Sequence, residues 1–152
     1  MTSLPLDARP RLRVTPDGVR NDAALAVDLA AAYGTHLDGW QADVLAVGMG
    51  VRADGRWAAP TVGCNTSRQN GKSVALTVRA LAGALLFGER TIICSAHEQK
   101  TSRVLFLNLL GFFENFSDLS RRVKSIGRAL GREVCSAALQ PPAFAWIDVA
   151  RH

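Results

Sequence analysis

Residues Trp57 to Ser73 read W-A-A-P-T-V-G-C-N-T-S-R-Q-N-G-K-S: a short apolar run, a polar loop, and a Gly-Lys-Ser that opens the next apolar segment. The last eight, Thr66 to Ser73, follow the phosphate-loop pattern GxxxxGK[ST], with Thr66 where the pattern has its first glycine. Such a loop lays backbone N–H groups around a β-phosphate. It also sets the phosphates at a helix N-terminus, where unpaired amides and the helix dipole favour negative charge. Gly71 is expected to supply the tight turn, Lys72 a cation for the β- and γ-phosphates, and the Ser73 hydroxyl a ligand for Mg²⁺. The plain structural reading is a chance tripeptide at a helix start, with Ser73 as a capping residue. The flanks favour the loop, because an apolar strand is expected before it and an apolar helix directly after.

Working outward, Lys72 to Phe87 is apolar almost all round, which suits a helix packed inside a domain against a sheet, and Gly88 ends it. Thr91 to Cys94, T-I-I-C, has strand length and β-branched residues. Ser95 and Glu98 have capping-box spacing ahead of a helix whose apolar face is Val104, Leu105, Leu109 and Phe112. Before the loop, Trp57 to Cys64 reads as a buried strand, although Pro60 counts against its first half being central. Further upstream, Asn21 or Asp22 caps a helix with Leu25, Leu29 and Ala32 at helical spacing, stopped by Gly34. A second helix starts after Asp38 and ends in Gly48 to Gly50, and Val51 to Gly55 is a turn. The order strand, loop, helix, strand, helix predicts parallel strands joined by crossover helices, an α/β sheet.

A chain of 152 residues, 48% apolar and 20% charged, has the length and composition of one globular domain. It has no apolar stretch of membrane-spanning length, and Met1 to Arg13 lacks the order of a secretory signal. The net charge of +5 mildly favours a polyanionic partner. Cys64, Cys94 and Cys135 are widely spaced, which speaks for reduced thiols rather than a zinc site.

Taken together, these stretches resemble the large terminase subunit of tailed phages of actinobacteria. The resemblance is carried by S-R-Q-N-G-K-S at Ser67 to Ser73, L-D-G-W-Q at Leu37 to Gln41, A-D-G-R-W-A at Ala53 to Ala58, and F-G-E-R-T-I-I-C-S-A-H-E-Q-K-T at Phe87 to Thr101. It runs from about Val19 to about Glu133. It implies a RecA-like P-loop ATPase domain that drives double-stranded DNA into a procapsid in the cytoplasm of the bacterial host. ATP and Mg²⁺ would be the cofactors, a portal and a small terminase subunit the partners, with no membrane involved.

The resemblance also assigns residues. Thr66, Ser67, Arg68, Gln69, Asn70, Gly71, Lys72 and Ser73 would bind nucleotide, with Arg68 at the γ-phosphate. Gln41 would contact the adenine edge, since an amide donates and accepts at once. Its capping-box spacing from Asp38 offers the alternative that it caps its own helix. Ser95, Ala96 and His97 would couple nucleotide state to DNA movement; the alternatives are Ser95 as a helix cap and His97 as a first-turn polar residue. Trp40 is read as packing and His36 as a turn residue. The basic cluster Arg121, Arg122, Lys124, Arg128 and Arg132 is read as a solvated face of a helix carrying Leu119, Val123, Ile126 and Leu130, with DNA phosphates as the alternative partner.

The family's ATPase also has an apolar strand ending in an Mg²⁺-binding Asp and a following catalytic Glu. The nearest text, A-F-A-W-I-D at Ala143 to Asp148, has no Glu after it and is read as a chance likeness. Residues 1–20 are expected to be a loose lead-in, 21–133 a partial ATPase domain, and 134–152 a divergent tail. This change of character points to a truncated reading frame, with the domain incomplete at its C-terminus and its nuclease domain missing, so that nucleotide binding rather than turnover is expected. Two other readings stay open: a small self-contained P-loop kinase or NTPase, and a non-catalytic nucleic-acid-binding module.

Overall fold

A computed structural model describes residues 10–67, 69–89, 91–96, 99–128, 135–139 and 143–147. They divide into two compact units, Met1–Arg79 and Ala80–His152. Helices and small sheets are mixed in the chain. Among the described residues no helix is long and apolar enough to cross a membrane.

In the first unit, β1 (Arg20–Asn21) pairs antiparallel with β2 (Gly50–Val51), and α1 (Ala23–Ala32) and α2 (Gly39–Gly48) lie between them in sequence. Asp22 holds the N-cap position of α1 but pairs with Arg20 at 3.0 Å, and it is Asn21, one residue earlier, whose Oδ1 accepts the first helical N–H, that of Ala23, at 3.0 Å. The helix ends as expected at Gly34, in the left-handed region at φ 74°. Its buried face differs from the expected one. Ala23, Ala26 and Ala30 are buried, whereas Leu25 is 53% exposed. Small side chains on that face let α1 and α2, which are in contact, approach closely, so volume outweighed hydrophobicity in choosing the inward stripe. Leu45, Met49, Val51, Ala75 and Val78 complete the core of this unit.

The strand expected over Trp57 to Cys64 is not formed. Trp57 makes a single antiparallel bridge to Val51, the Ala58 N–H reaches Gly50 O at 2.7 Å, and residues 58–67 run as coil, exposed from Pro60 to Asn65. A strand requires a laddered neighbour. This run carries Pro60, which has no N–H to give, and Gly63, which packs nothing. After the loop, α3 (Lys72–Leu85) starts where expected and ends two residues before Phe87, with Gly88 following at φ 61°; it is not buried all round, since Leu76 is 57% exposed.

In the second unit, β3 (Thr91–Ile93) is followed by α4 (Gln99–Asn115), α5 (Ser117–Ser120), β4 (Val123–Arg128), β5 (Cys135–Leu139) and β6 (Ala143–Ile147). The sheet order is β3-β6-β5-β4. Among the described residues only β3 and β6 are parallel, with Ile93 opposite Trp146; β5 is antiparallel to both neighbours. The sheet is therefore mixed rather than wholly parallel. The A-F-A-W-I text read as a chance likeness forms β6, and Asp148 lies outside the described residues.

Two further expectations are corrected here. Ser95 and Ala96 are coil ahead of α4, so Ser95 does not cap it, and among the described residues its buried ones are Ser102, Phe106, Leu109, Leu110 and Phe113, while Val104 is 52% exposed. Cys94 packs against Phe106 and Leu110, and that burial pushes its thiol pKa up. Downstream, the helix expected through Val123 and Ile126 is instead α5 followed by strand β4. Gly127 and two β-branched residues weaken a helix there, and β5 provides the ladder.

Candidate functional site

The loop from Thr66 to Ser73 is closed by its own lysine. Lys72 Nζ donates to Thr66 O at 3.1 Å and to Ser67 O at 2.6 Å, folding the ammonium back over the segment that precedes it. Asn70 Nδ2 donates to the hydroxyls of Ser67 and Thr66, a second tie across the same ring. Among the described residues of the loop, two take the left-handed backbone: Gly71 at φ 76° and Gln69 at φ 62°. Thr66 does not, which explains why a threonine can stand in the place of the pattern's first glycine. The turn is made at Gly71, and the Thr66 hydroxyl serves as an acceptor.

Gly71 stands directly before α3, so the Lys72 and Ser73 amides occupy its first turn and have no acceptor within the helix. The Ser73 side chain is exposed. One turn on, Thr77 Oγ1 donates to Ser73 O at 2.8 Å. An ammonium, two first-turn amides without an acceptor in the helix and an exposed hydroxyl thus share one end of a 14-residue helix.

Gln41 is 4% exposed and reaches this loop from α2. Its Oε1 accepts the Asp38 N–H at 2.8 Å, completing the capping box, and its Nε2 donates to Gly71 O at 3.0 Å. The capping alternative for Gln41 is therefore realised, together with a contact 30 residues away that spacing does not reveal.

Beside the loop, a cavity of about 300 Å³ lies between α2 and α3, walled by Trp40, Val44, Met49, Val62 and Leu76, with Lys72 at its edge. A second space of about 270 Å³ shares Trp40 and Val62 and extends towards Leu12 and Val14. Trp40 is thus a wall of two cavities as well as a packing residue. Arg79 also borders the first cavity, its guanidinium 4.9 Å from the centre of the Trp57 ring. The Trp57–Arg79 pair has no signal in the sequence, since 22 positions separate its members.

The first unit therefore brings Gln41, Thr66, Ser67, Asn70, Gly71, Lys72 and Ser73 together, with Gln69 exposed at the turn. Arg68 lies outside the described residues. Ser95 and Ala96 follow β3 in the second unit, Ser95 exposed and Ala96 half-buried, and His97 is outside the described residues. Of the basic cluster, Arg121 and Arg122 are exposed after α5, Lys124 and Arg128 belong to β4, and Arg132 is not described. Comparison of the chain with protein-family models, with curated proteins and with solved structures gives no match.

Proposed function

We propose that the chain is an N-terminal ATP-binding part of a large terminase subunit, the motor that packages double-stranded DNA into phage procapsids. The observation that carries the reading is the head of α3: a left-handed Gly71, the Lys72 ammonium, the exposed Ser73 hydroxyl and the first-turn amides. These groups suit a nucleoside triphosphate with its Mg²⁺. The ammonium now resting on the Thr66 and Ser67 carbonyls is the natural counterion for phosphate, and the Ser73 hydroxyl an oxygen ligand for the metal. The Trp40-walled cavity beside Lys72 has the volume of a small ligand site and the apolar lining that a purine ring prefers.

The terminase assignment itself is supported by the motifs at Leu37 to Gln41, Ala53 to Ala58 and Phe87 to Thr101 together with the loop. The same reading implies the cytoplasm of a bacterial host, with DNA, a portal and a small terminase subunit as partners. The activity proposed is binding; hydrolysis needs a water-orienting glutamate for which the sequence offers no motif.

Calorimetric titration of the full chain with ATP and Mg²⁺ tests this. Saturable binding is expected in the unsubstituted protein, with a loss of about tenfold or more in Lys72→Ala, the size expected for charge-assisted contacts. Equal affinities in the two proteins, or no binding at millimolar ATP, would sink the proposal.

A further inference from the structure

We infer that Gln41 is a positioning residue of the phosphate loop: it holds the Gly71 carbonyl and so aims the Lys72 amide. The inference rests on the nucleotide-binding reading and deepens it. Capping α2 needs only the side-chain oxygen of Gln41, and a glutamate would serve that purpose equally. The amide nitrogen is surplus to the cap, and it is spent on Gly71 O at 3.0 Å. A glutamate there would set a carboxylate against a carbonyl.

The consequence for the loop follows from peptide geometry. In a trans peptide the carbonyl and the next N–H point in opposite directions. Gly71 O is held by Gln41 Nε2 on one side and by the Val74 N–H at 3.0 Å on the other, so the Lys72 N–H is turned away from Gln41 and kept there. The clamp also shapes the residue it holds. A Cβ at position 71 would lie 2.6 Å from Gln41 Nε2, so the buried amide occupies the space that a side chain would need. Reading adenine would require the donor and the acceptor of the amide to be free together. Here Oε1 already accepts from Asp38 and Nε2 already donates to Gly71, and burial of the side chain closes the approach to their second lone pair and second N–H. The contribution of Gln41 is therefore directed at phosphate and is blind to the base.

The test is a set of calorimetric titrations on the full chain with inorganic tripolyphosphate, ATP and GTP, each with Mg²⁺. Gln41→Met, a neutral replacement of similar length, is expected to weaken all three by the same factor of about five to ten, the worth of one hydrogen bond to a positioned peptide. Gln41→Glu keeps the acceptor that caps α2 but sets a buried carboxylate against Gly71 O, so it is expected to lower the melting temperature and to weaken all three ligands at least as much as Gln41→Met does. Asp38→Ala loosens the cap but retains the backbone N–H to Gln41; it should lower the melting temperature and leave the three affinities within about twofold. Losses confined to ATP would assign Gln41 to the base and overturn the inference, as would variants that bind like the wild type, while the phosphate site itself would stand. A wild type that takes up none of the three ligands removes the phosphate site, and this role with it.

Discussion

Gly71 and Gln69 share a left-handed backbone, yet the two positions answer differently to substitution. At Gly71 a methyl group meets both the φ penalty and the Gln41 amide, so Gly71→Ala is expected to cost about 1–2 kcal/mol of stability and to weaken nucleotide binding with it. At Gln69 the penalty is already present. Gln69→Gly relieves it but adds unfolded-chain entropy of about the same size, leaving stability nearly unchanged. Urea unfolding of both variants checks the contrast; equal destabilisation would show that the Gln41 contact is irrelevant to the turn. The placement of Lys72 and Ser73 at the head of α3 was legible in the sequence because residue type and spacing carry it. The replacement at Thr66 became intelligible only once the turn was seen at Gly71.

At the scale of elements, α2, α3 and β3 follow their local signals, with Asp38 and Gln41 forming the box that their spacing offered as the alternative and Gly88 following α3. Helix α1 shows how a local signal is joined to a tertiary one. Asn21 accepts its first N–H and also donates to Ala46 O at 2.6 Å near the end of α2, tying two helices through one side chain. Asn21→Ala is therefore expected to cost about 1–2 kcal/mol, the sum of a cap-like bond and one further hydrogen bond in a partly solvated setting. A shift of the urea midpoint no larger than that of an exposed surface substitution would show that neither bond contributes. The failures at this scale are of one kind. Trp57 to Cys64 and Val123 to Arg128 were assigned from their own residues, whereas coil or strand was decided by the neighbour that each did or did not find.

For the molecule as a whole, a ligand that binds only the folded state raises its stability by linkage, about 2.7 kcal/mol at a hundredfold excess over Kd. For units and chains of this length that corresponds to a rise in melting temperature of about 5–20 °C. The rise is expected with ATP and Mg²⁺ in the wild type and to be about halved, or smaller still, in Lys72→Ala at the same ligand concentration. Melting curves that ATP leaves unmoved in both proteins contradict nucleotide binding independently of calorimetry.

The sequence by itself determined the loop, the helix that follows it, the capped helix α2 and the short β3, since each depends on residues within a few positions of one another. Tertiary structure decided that β3 pairs in parallel with β6, that alanines rather than leucines face inward on α1, and that Gln41 closes on Gly71. Each of these joins residues far apart in the chain, and neither periodicity nor capping chemistry carries information about which distant partner a backbone or an amide will meet.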